Sequence, residues 1–253
     1  METTQLGQQS RRKAVVILSG GLDSATCMGI AEDDGYSLHP ITFDYGQRHI
    51  REIKQAQLIA DYYGAAERMK IIALPFLKEF GASALTDEHI QVPRTNVQDS
   101  MENEDETNAA PTSTDDEIPV TYVPGRNLMF LSIAASYAEA IGAEAVFIGV
   151  NALDYSGYPD CRPEFIEQVQ RVIRAGTKAG AEGKEIQIKA PLLHWSKAEI
   201  IREGLRLNVP YHLTTSCYNG EEAACGECDS CRLRLKGFKE AGAEDPIPYM
   251  KRD

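Results

Sequence analysis

Ala14-Val15-Val16-Ile17-Leu18-Ser19-Gly20-Gly21-Leu22-Asp23-Ser24 sets the frame for the whole chain. Five consecutive apolar residues ending in a turn are the mark of a strand buried on both faces, and the residues from Ala25 to Glu32 read on as a helix. Between them the chain bends through two glycines, which lack a Cβ and let backbone approach a ligand closely. The first-turn N–H groups of the helix have no internal partners and lie at the positive end of its dipole. A junction of this kind suits a polyphosphate, with the Ser19 and Ser24 hydroxyls as extra donors. Asp23 cannot neutralise phosphate, so its expected use there is as an oxygen ligand for Mg²⁺. No Gly-x-x-x-x-Gly-Lys-Ser/Thr run occurs, which excludes the loop of kinases and GTPases. A tight strand-to-helix turn without a ligand is the alternative.

Working outward, apolar runs at residues 14–18, 38–43, 69–74, 145–150 and 186–190 read as strands. Helical patterns lie at about 24–34, 49–63, 127–141, 163–178 and 196–206, the last opened by a capping box of Ser196 with Glu199. Strict alternation predicts an α/β fold with a doubly wound, parallel, five-stranded sheet covered on both faces. Ligands bind such sheets beyond the carboxyl ends of the strands, which points to 19–24, 44–48, 151–162 and 191–197.

With 253 residues, 43% of them hydrophobic, the chain can bury the core of one such domain, here expected over 13–210. There is no apolar run near 18 residues and no h-region before Lys13, so a cytoplasmic protein with no membrane partner is expected. The net charge is −12, but eight acids and no Lys or Arg fall between Thr95 and Val120; without those eight the net is −4. That segment, about 97–118, is too polar to repay its ordering and reads as a mobile surface insertion. An acidic chain is also a poor match to a nucleic-acid backbone, so no nucleic-acid partner is expected.

Cys217, Cys225, Cys228 and Cys231 are spaced C-x7-C-x2-C-x2-C. Four thiolates at this spacing make a closed tetrahedral site suited to structural Zn²⁺, worth on the order of 10 kcal/mol to local folding. They define a small zinc-binding tail over 211–253. An iron–sulfur cluster is the alternative, though Leu235-Lys236 stands where a cysteine followed by proline is expected. Cys27 reads as core, and Cys161 as a loop thiol with no histidine near it in sequence.

The glycine junction resembles the PP-loop of ATP pyrophosphatases. Val123-Pro124-Gly125-Arg126-Asn127, the run from Gly149 to Pro163 and the cysteine tail ending Cys231-Arg232-Leu233-Arg234 follow it in one order. Together these resemble the 7-cyano-7-deazaguanine synthase family, over nearly the whole chain from Lys13 to Tyr249; the acidic segment is longer than that pattern. The resemblance implies an adenine nucleotide alpha hydrolase-like fold and a cytoplasmic homodimer of the queuosine pathway with bound zinc. It implies a ligase that uses ATP and Mg²⁺ to convert 7-carboxy-7-deazaguanine and ammonia to the nitrile.

Within that scheme Leu18, Ser19, Gly20, Gly21, Leu22, Asp23 and Ser24 are expected to hold nucleotide, with Phe43, Tyr45 and Gln47 meeting the adenine. Asp23, Ser24 and Lys197 are the catalytic candidates, Lys197 as a clamp on the leaving pyrophosphate. Arg126 offers a planar fork to a phosphate or carboxylate, and Asn127 follows it. Asp154, Tyr155, Tyr158, Asp160 and Arg162 crowd the segment after the fourth strand, where a guanine-like base calls for a carboxylate acceptor and an aromatic face. Structural duties are the alternative for each: core for Phe43, a surface ion pair for Arg126, loop ties for the last group. Two rival functions stay open, a tRNA-thiolating PP-loop enzyme and a zinc-binding regulator that binds nucleotide without turnover.

Overall fold

The computed structural model describes residues 11–46, 50–81, 83, 86, 90, 118–153, 157–217 and 223–250. Apart from Ile118, the acidic segment lies outside the described residues, as do Gln47, Asp154 and Tyr155.

Five parallel strands, β1 (Lys13–Ile17), β2 (Ser37–Asp44), β3 (Lys70–Ala73), β4 (Ala145–Phe147) and β5 (Gln187–Lys189), form one sheet in the order β3-β2-β1-β4-β5. Chain order reverses between β1 and β4. This is the switch point at which a doubly wound sheet opens a crevice beyond its strand ends. Alternation along β1 assigns its two faces: Ala14, Val16 and Leu18 enter one core, Val15 and Ile17 the other.

On the first face lie α1 (Leu22–Asp33), α2 (Ile50–Tyr62), α7 (Lys197–Arg206) and α8 (Asp229–Ala241), contributing Met28, Ile59, Ile200 and Phe238 to the core. On the other lie α3 (Phe76–Phe80), α4 (Arg126–Ile141) and α5 (Pro163–Gly176), contributing Leu77, Leu131 and Val169. A single turn, α6 (Lys178–Ala181), follows α5 where the sequence pattern ran on to 178; the Thr177 hydroxyl caps it by accepting from the Gly180 N–H.

The strands at 145–150 and 186–190 are shorter than their apolar runs. Beyond β4 the Ile148 N–H donates once more across the sheet to the Lys189 carbonyl, after which Gly149 to Asn151 leave the ladder and cross the switch point. Helix α8 is absent from the sequence reading, which assigns no helix to the cysteine tail. Its buried residues are Cys231, Arg234, Gly237 and Phe238, a set with one large apolar side chain. Periodicity of hydrophobic residues cannot find such a helix. It packs along α7 and carries the tail into the first core.

Candidate active site

Strand β1 ends pinned to its neighbour: the Leu18 N–H donates to the Ile41 carbonyl at 2.9 Å, and the Thr42 hydroxyl donates to the Leu18 carbonyl at 2.6 Å. From that fixed point the chain turns through Gly20 at φ +84°, a conformation few side-chain-bearing residues adopt. A Cβ on Gly20 would lie 2.4 Å from the Glu52 carbonyl oxygen and 3.0 Å from the Ala56 nitrogen, so the loop rests directly on the backbone of α2. Gly21 is the N-cap of α1 and brings no capping side chain, which leaves first-turn amides turned to the crevice. Within the loop Ser24 Oγ donates to the Gly21 carbonyl at 3.0 Å and accepts from the Ser19 N–H at 3.2 Å. The two serine hydroxyls are 3.1 Å apart.

Asp23 and Lys197 meet across 174 residues of sequence. The Lys197 ammonium donates to both carboxylate oxygens, at 2.8 and 3.0 Å, with its side chain 8% exposed and that of Asp23 21% exposed. Lys197 is the first residue of α7, set by the capping box in which Ser196 and Glu199 bond reciprocally. Its stem is held from behind by α8, where a Cβ on Gly237 would fall 2.4 Å from Lys197 Cγ.

The crevice above this pair is a cavity of about 290 Å³ whose wall includes Leu18, Ser19, Gly21, Leu22, Asp23 and Ser24. Phe43, Tyr45, Arg126, Asn127, Tyr158 and Lys197 complete the part of that wall expected from sequence. Phe43 stacks on Phe130 at 4.0 Å between centroids, so it serves core and cavity together. The Arg126 guanidinium hydrogen-bonds the Tyr45 phenol, and the negative charge of Asp160 raises its pKa further against the opposing effect of burial.

Asp160 and Arg162 are not on that wall. Asp160 is 5% exposed, and its Oδ2 accepts from the Asn127 N–H at 3.2 Å at the start of α4. The Asn127 side-chain amide returns a bond to the Asp160 carbonyl at 3.1 Å. This reciprocal tie fixes Arg126 and Asn127 against the segment after β4. Burial raises the Asp160 pKa, its bonds from backbone N–H groups and the Arg126 charge opposing. Arg162 is exposed at the N-terminus of α5. Tyr158 points its hydroxyl at Thr121.

The wall also contains residues that sequence reasoning passed over: Glu52 on α2, Thr215 and Ser216 before the cysteine cluster, and Arg234 on α8. Burial pushes the Glu52 carboxyl up to about 7, the Arg126 charge opposing. Arg234 is 2% exposed and forms a bidentate pair with Asp245, Nε to Oδ2 at 2.7 Å and a terminal nitrogen to Oδ1 at 2.9 Å. Its remaining donors reach Thr214 Oγ1 at 2.7 Å, Ser216 Oγ at 3.2 Å and the Tyr211 carbonyl at 3.3 Å. The strap so ordered touches the glycine loop, where the Thr215 N–H donates to the Gly20 carbonyl at 3.0 Å.

Sulfur atoms of Cys217, Cys225, Cys228 and Cys231 lie within 4.8 Å of one another. Tetrahedral Zn²⁺ with Zn–S near 2.3 Å asks for sulfurs about 3.8 Å apart, and Cys225 and Cys231 sit at 3.9 Å. Backbone N–H groups of Cys225 and Cys228 point at cluster sulfurs at 3.4 Å, a favourable setting for thiolate charge. All four positions are protein sulfur, so the donor set fits a closed metal site that holds structure together. No helix among the described residues is long and apolar enough to cross a membrane.

The sequence model described as "Queuosine biosynthesis protein QueC" matches residues 13–242. A protein named 7-cyano-7-deazaguanine synthase from Oceanobacillus iheyensis is 57% identical over 94% of this chain and 99% of its own length. One of the same name from Thermoplasma acidophilum is 52% identical over 95% and 93%. Among solved structures, an NMN synthetase from Francisella tularensis is 14% identical, with a TM-score of 0.47 over 92% of this chain and 79% of that one. The chain is an enzyme of the QueC family of queuosine biosynthesis proteins.

Proposed function

We propose that the protein converts 7-carboxy-7-deazaguanine and ammonia to 7-cyano-7-deazaguanine at the expense of two ATP. A carboxylate is a poor electrophile. Transfer of AMP to its oxygen makes an acyl adenylate that ammonia opens to the amide. A second transfer, to the amide oxygen, followed by loss of AMP leaves the nitrile. The observation that carries this reading is the Asp23–Lys197 pair at the foot of a cavity bounded by the glycine loop on one side and by Arg126, Asn127 and Tyr158 on the other. One crevice thus offers polyphosphate donors beside a cationic, aromatic wall for a flat anionic base.

In this scheme the loop amides and the Ser19 and Ser24 hydroxyls hold the phosphates, and Lys197 faces charge building on the leaving pyrophosphate. Tyr45 and Phe43 meet the adenine, while Arg126, Asn127 and Tyr158 meet the deazapurine, with Asp160 holding the first two in place from behind. Asp23 is the fitting residue for Mg²⁺, since an ionised carboxylate has lone pairs beyond the two directions taken by Lys197. When bound, Mg²⁺ neutralises phosphate charge and orients the leaving group. Zn²⁺ suits the four cysteines and fixes the tail on which Arg234 and Thr215 depend. The family resemblance supports a cytoplasmic homodimer.

The test is incubation of the purified protein with 7-carboxy-7-deazaguanine, Mg-ATP and ammonium. The base is followed by mass spectrometry and the nucleotide by chromatography. Nitrile together with AMP and pyrophosphate is expected. AMP release only with a different acceptor would overturn the substrate assignment, and bound but uncleaved ATP would overturn catalysis itself.

A further inference from the structure

We propose that Glu52 is the proton acceptor that turns bound ammonium into the attacking nucleophile. The inference rests on the ATP-dependent amidation proposed above. That reaction needs nitrogen with a lone pair, and ammonia in neutral water is almost wholly protonated. Each molecule captured must give up a proton within the cavity, next to the activated carbon.

The titratable and charged groups on the described wall come from every element that packs around it. Besides Glu52 they are Asp23 of α1, Tyr45 after β2, Arg126 of α4, Tyr158 and Cys161 before α5, Lys197 of α7 and Arg234 of α8. None is suited to the task. Asp23, which accepts from Lys197 at both oxygens, is the carboxylate given above to Mg²⁺, and the Cys161 thiol is pushed up to about 12 by burial. Burial likewise raises the Tyr45 and Tyr158 phenols, and the remaining three are cations. Asp160 is off the wall, with one oxygen spent on the Asn127 N–H.

Glu52 is the other carboxylate on the described wall. Its backbone lies against the glycine loop, the carbonyl 2.4 Å from where a Gly20 Cβ would stand, and the residue lines the same cavity as that loop and Arg126. With its carboxyl near 7 and Arg126 favouring the charged form, it is basic enough to take a proton yet ionised enough at neutral pH to be ready. A carboxylate beside that loop is also a natural seat for a small cation.

A Glu52 oxygen takes one proton from ammonium, and the freed lone pair forms the C–N bond at the adenylated carbonyl carbon. The C–O bond to phosphate breaks, AMP leaving with the electron pair, and the surplus N–H proton passes to water as the adduct collapses to the amide. Glu52 then returns its proton to solvent at the cavity mouth.

The experiment compares wild type with Glu52→Gln, an isosteric change, in the full-length protein. Exchange of labelled pyrophosphate into ATP, dependent on 7-carboxy-7-deazaguanine, reads the first activation without ammonia. Product formation from ammonium across pH 6 to 9 reads the step assigned to Glu52. Hydroxylamine, already unprotonated at pH 7, reads attack that needs no such acceptor. Glu52→Gln should keep exchange within about threefold, lose ammonium-dependent turnover by about 100-fold or more, and lose the rise in rate near pH 7. Hydroxylamine should restore its rate to within about tenfold of wild type. Glu52→Asp, an acid withdrawn by one methylene, should fall between the two. Ammonium turnover with an unaltered pH profile in Glu52→Gln would overturn the proposal. So would hydroxylamine used as poorly as ammonium, since that assigns Glu52 to support of Arg126. Absence of exchange in wild type would overturn the amidation reading itself.

Discussion

Replacing Asp245 by Asn should unlatch the tail from the glycine loop. The Asp245 carboxylate accepts four bonds: two from Arg234 at 2.7 and 2.9 Å, one from the Tyr249 hydroxyl at 2.6 Å and one from the Ile247 N–H at 3.3 Å. The side chains of Arg234 and Asp245 are 2% and 3% exposed, so solvent cannot take over the charge left behind. Removing one partner of a buried pair costs about 3–5 kcal/mol, most of it the penalty of an uncompensated ion. With unfolding entropy near 2.1 cal/mol/K per residue, a chain of 253 residues should then lose about 6–9 °C in Tm. The assay is urea denaturation of the metal-loaded protein read by tryptophan fluorescence and circular dichroism, with calorimetry for Tm. Arg234→Met combined with Asp245→Leu should recover part of the loss, because it removes both charges. A single-variant loss below about 1 kcal/mol, the scale of an exposed ion pair, would refute the reasoning.

Gly20→Ala should cut ATP-dependent activity by at least 100-fold, read from pyrophosphate release, because its Cβ meets α2 backbone and φ is positive there. Wild-type ATP affinity in that variant would count against the loop as the phosphate site. Stripping the metal with a chelator should abolish activity together with protection of the 223–250 backbone from hydrogen exchange, while β1 and β4 stay protected; tail protection in metal-free protein would sink the structural role. For Glu52 the folded pKa of about 7 lies above its ordinary 4.5, so the native state holds the proton more tightly than the unfolded one. Stability contributed by this group is present at low pH and is lost as pH rises from about 4.5 through 7. Glu52→Gln should accordingly be more stable than wild type at pH 8, by up to about 3 kcal/mol, and lose most of that advantage at pH 5; equal midpoints at both pH values would contradict it.

What could be read from sequence is what depends on runs and spacing. Strands buried on both faces appear as unbroken apolar stretches, so 14–18 and 38–43 coincide closely with β1 and β2. The Ser196–Glu199 box located the start of α7 and with it Lys197. Its bond to Asp23 was out of reach, because nothing in either neighbourhood encodes a partner 174 residues away. Glu52 is hidden among Arg51 and Lys54 on an amphipathic helix, where an acid looks like solvated surface. Arg234 is hidden for the converse reason: sequence rules place arginine outside, and its burial is made tolerable by the Asp245 carboxylate together with the Thr214, Ser216 and Tyr211 acceptors. Asp160 drew notice as a polar residue in a loop after a strand, but pattern alone cannot tell an acid that faces a ligand from one that holds a helix terminus.

The bond from the Thr215 N–H to the Gly20 carbonyl also orders events during synthesis. The strap that closes over the glycine loop stays unfixed until Arg234 and then Asp245 emerge from the ribosome, 214 and 225 residues after Gly20. Contacts of such sequence separation form late, after the local helices. Over that interval a nascent chain carries the glycine loop without the strap that closes over it, and completes the crevice only when the tail docks.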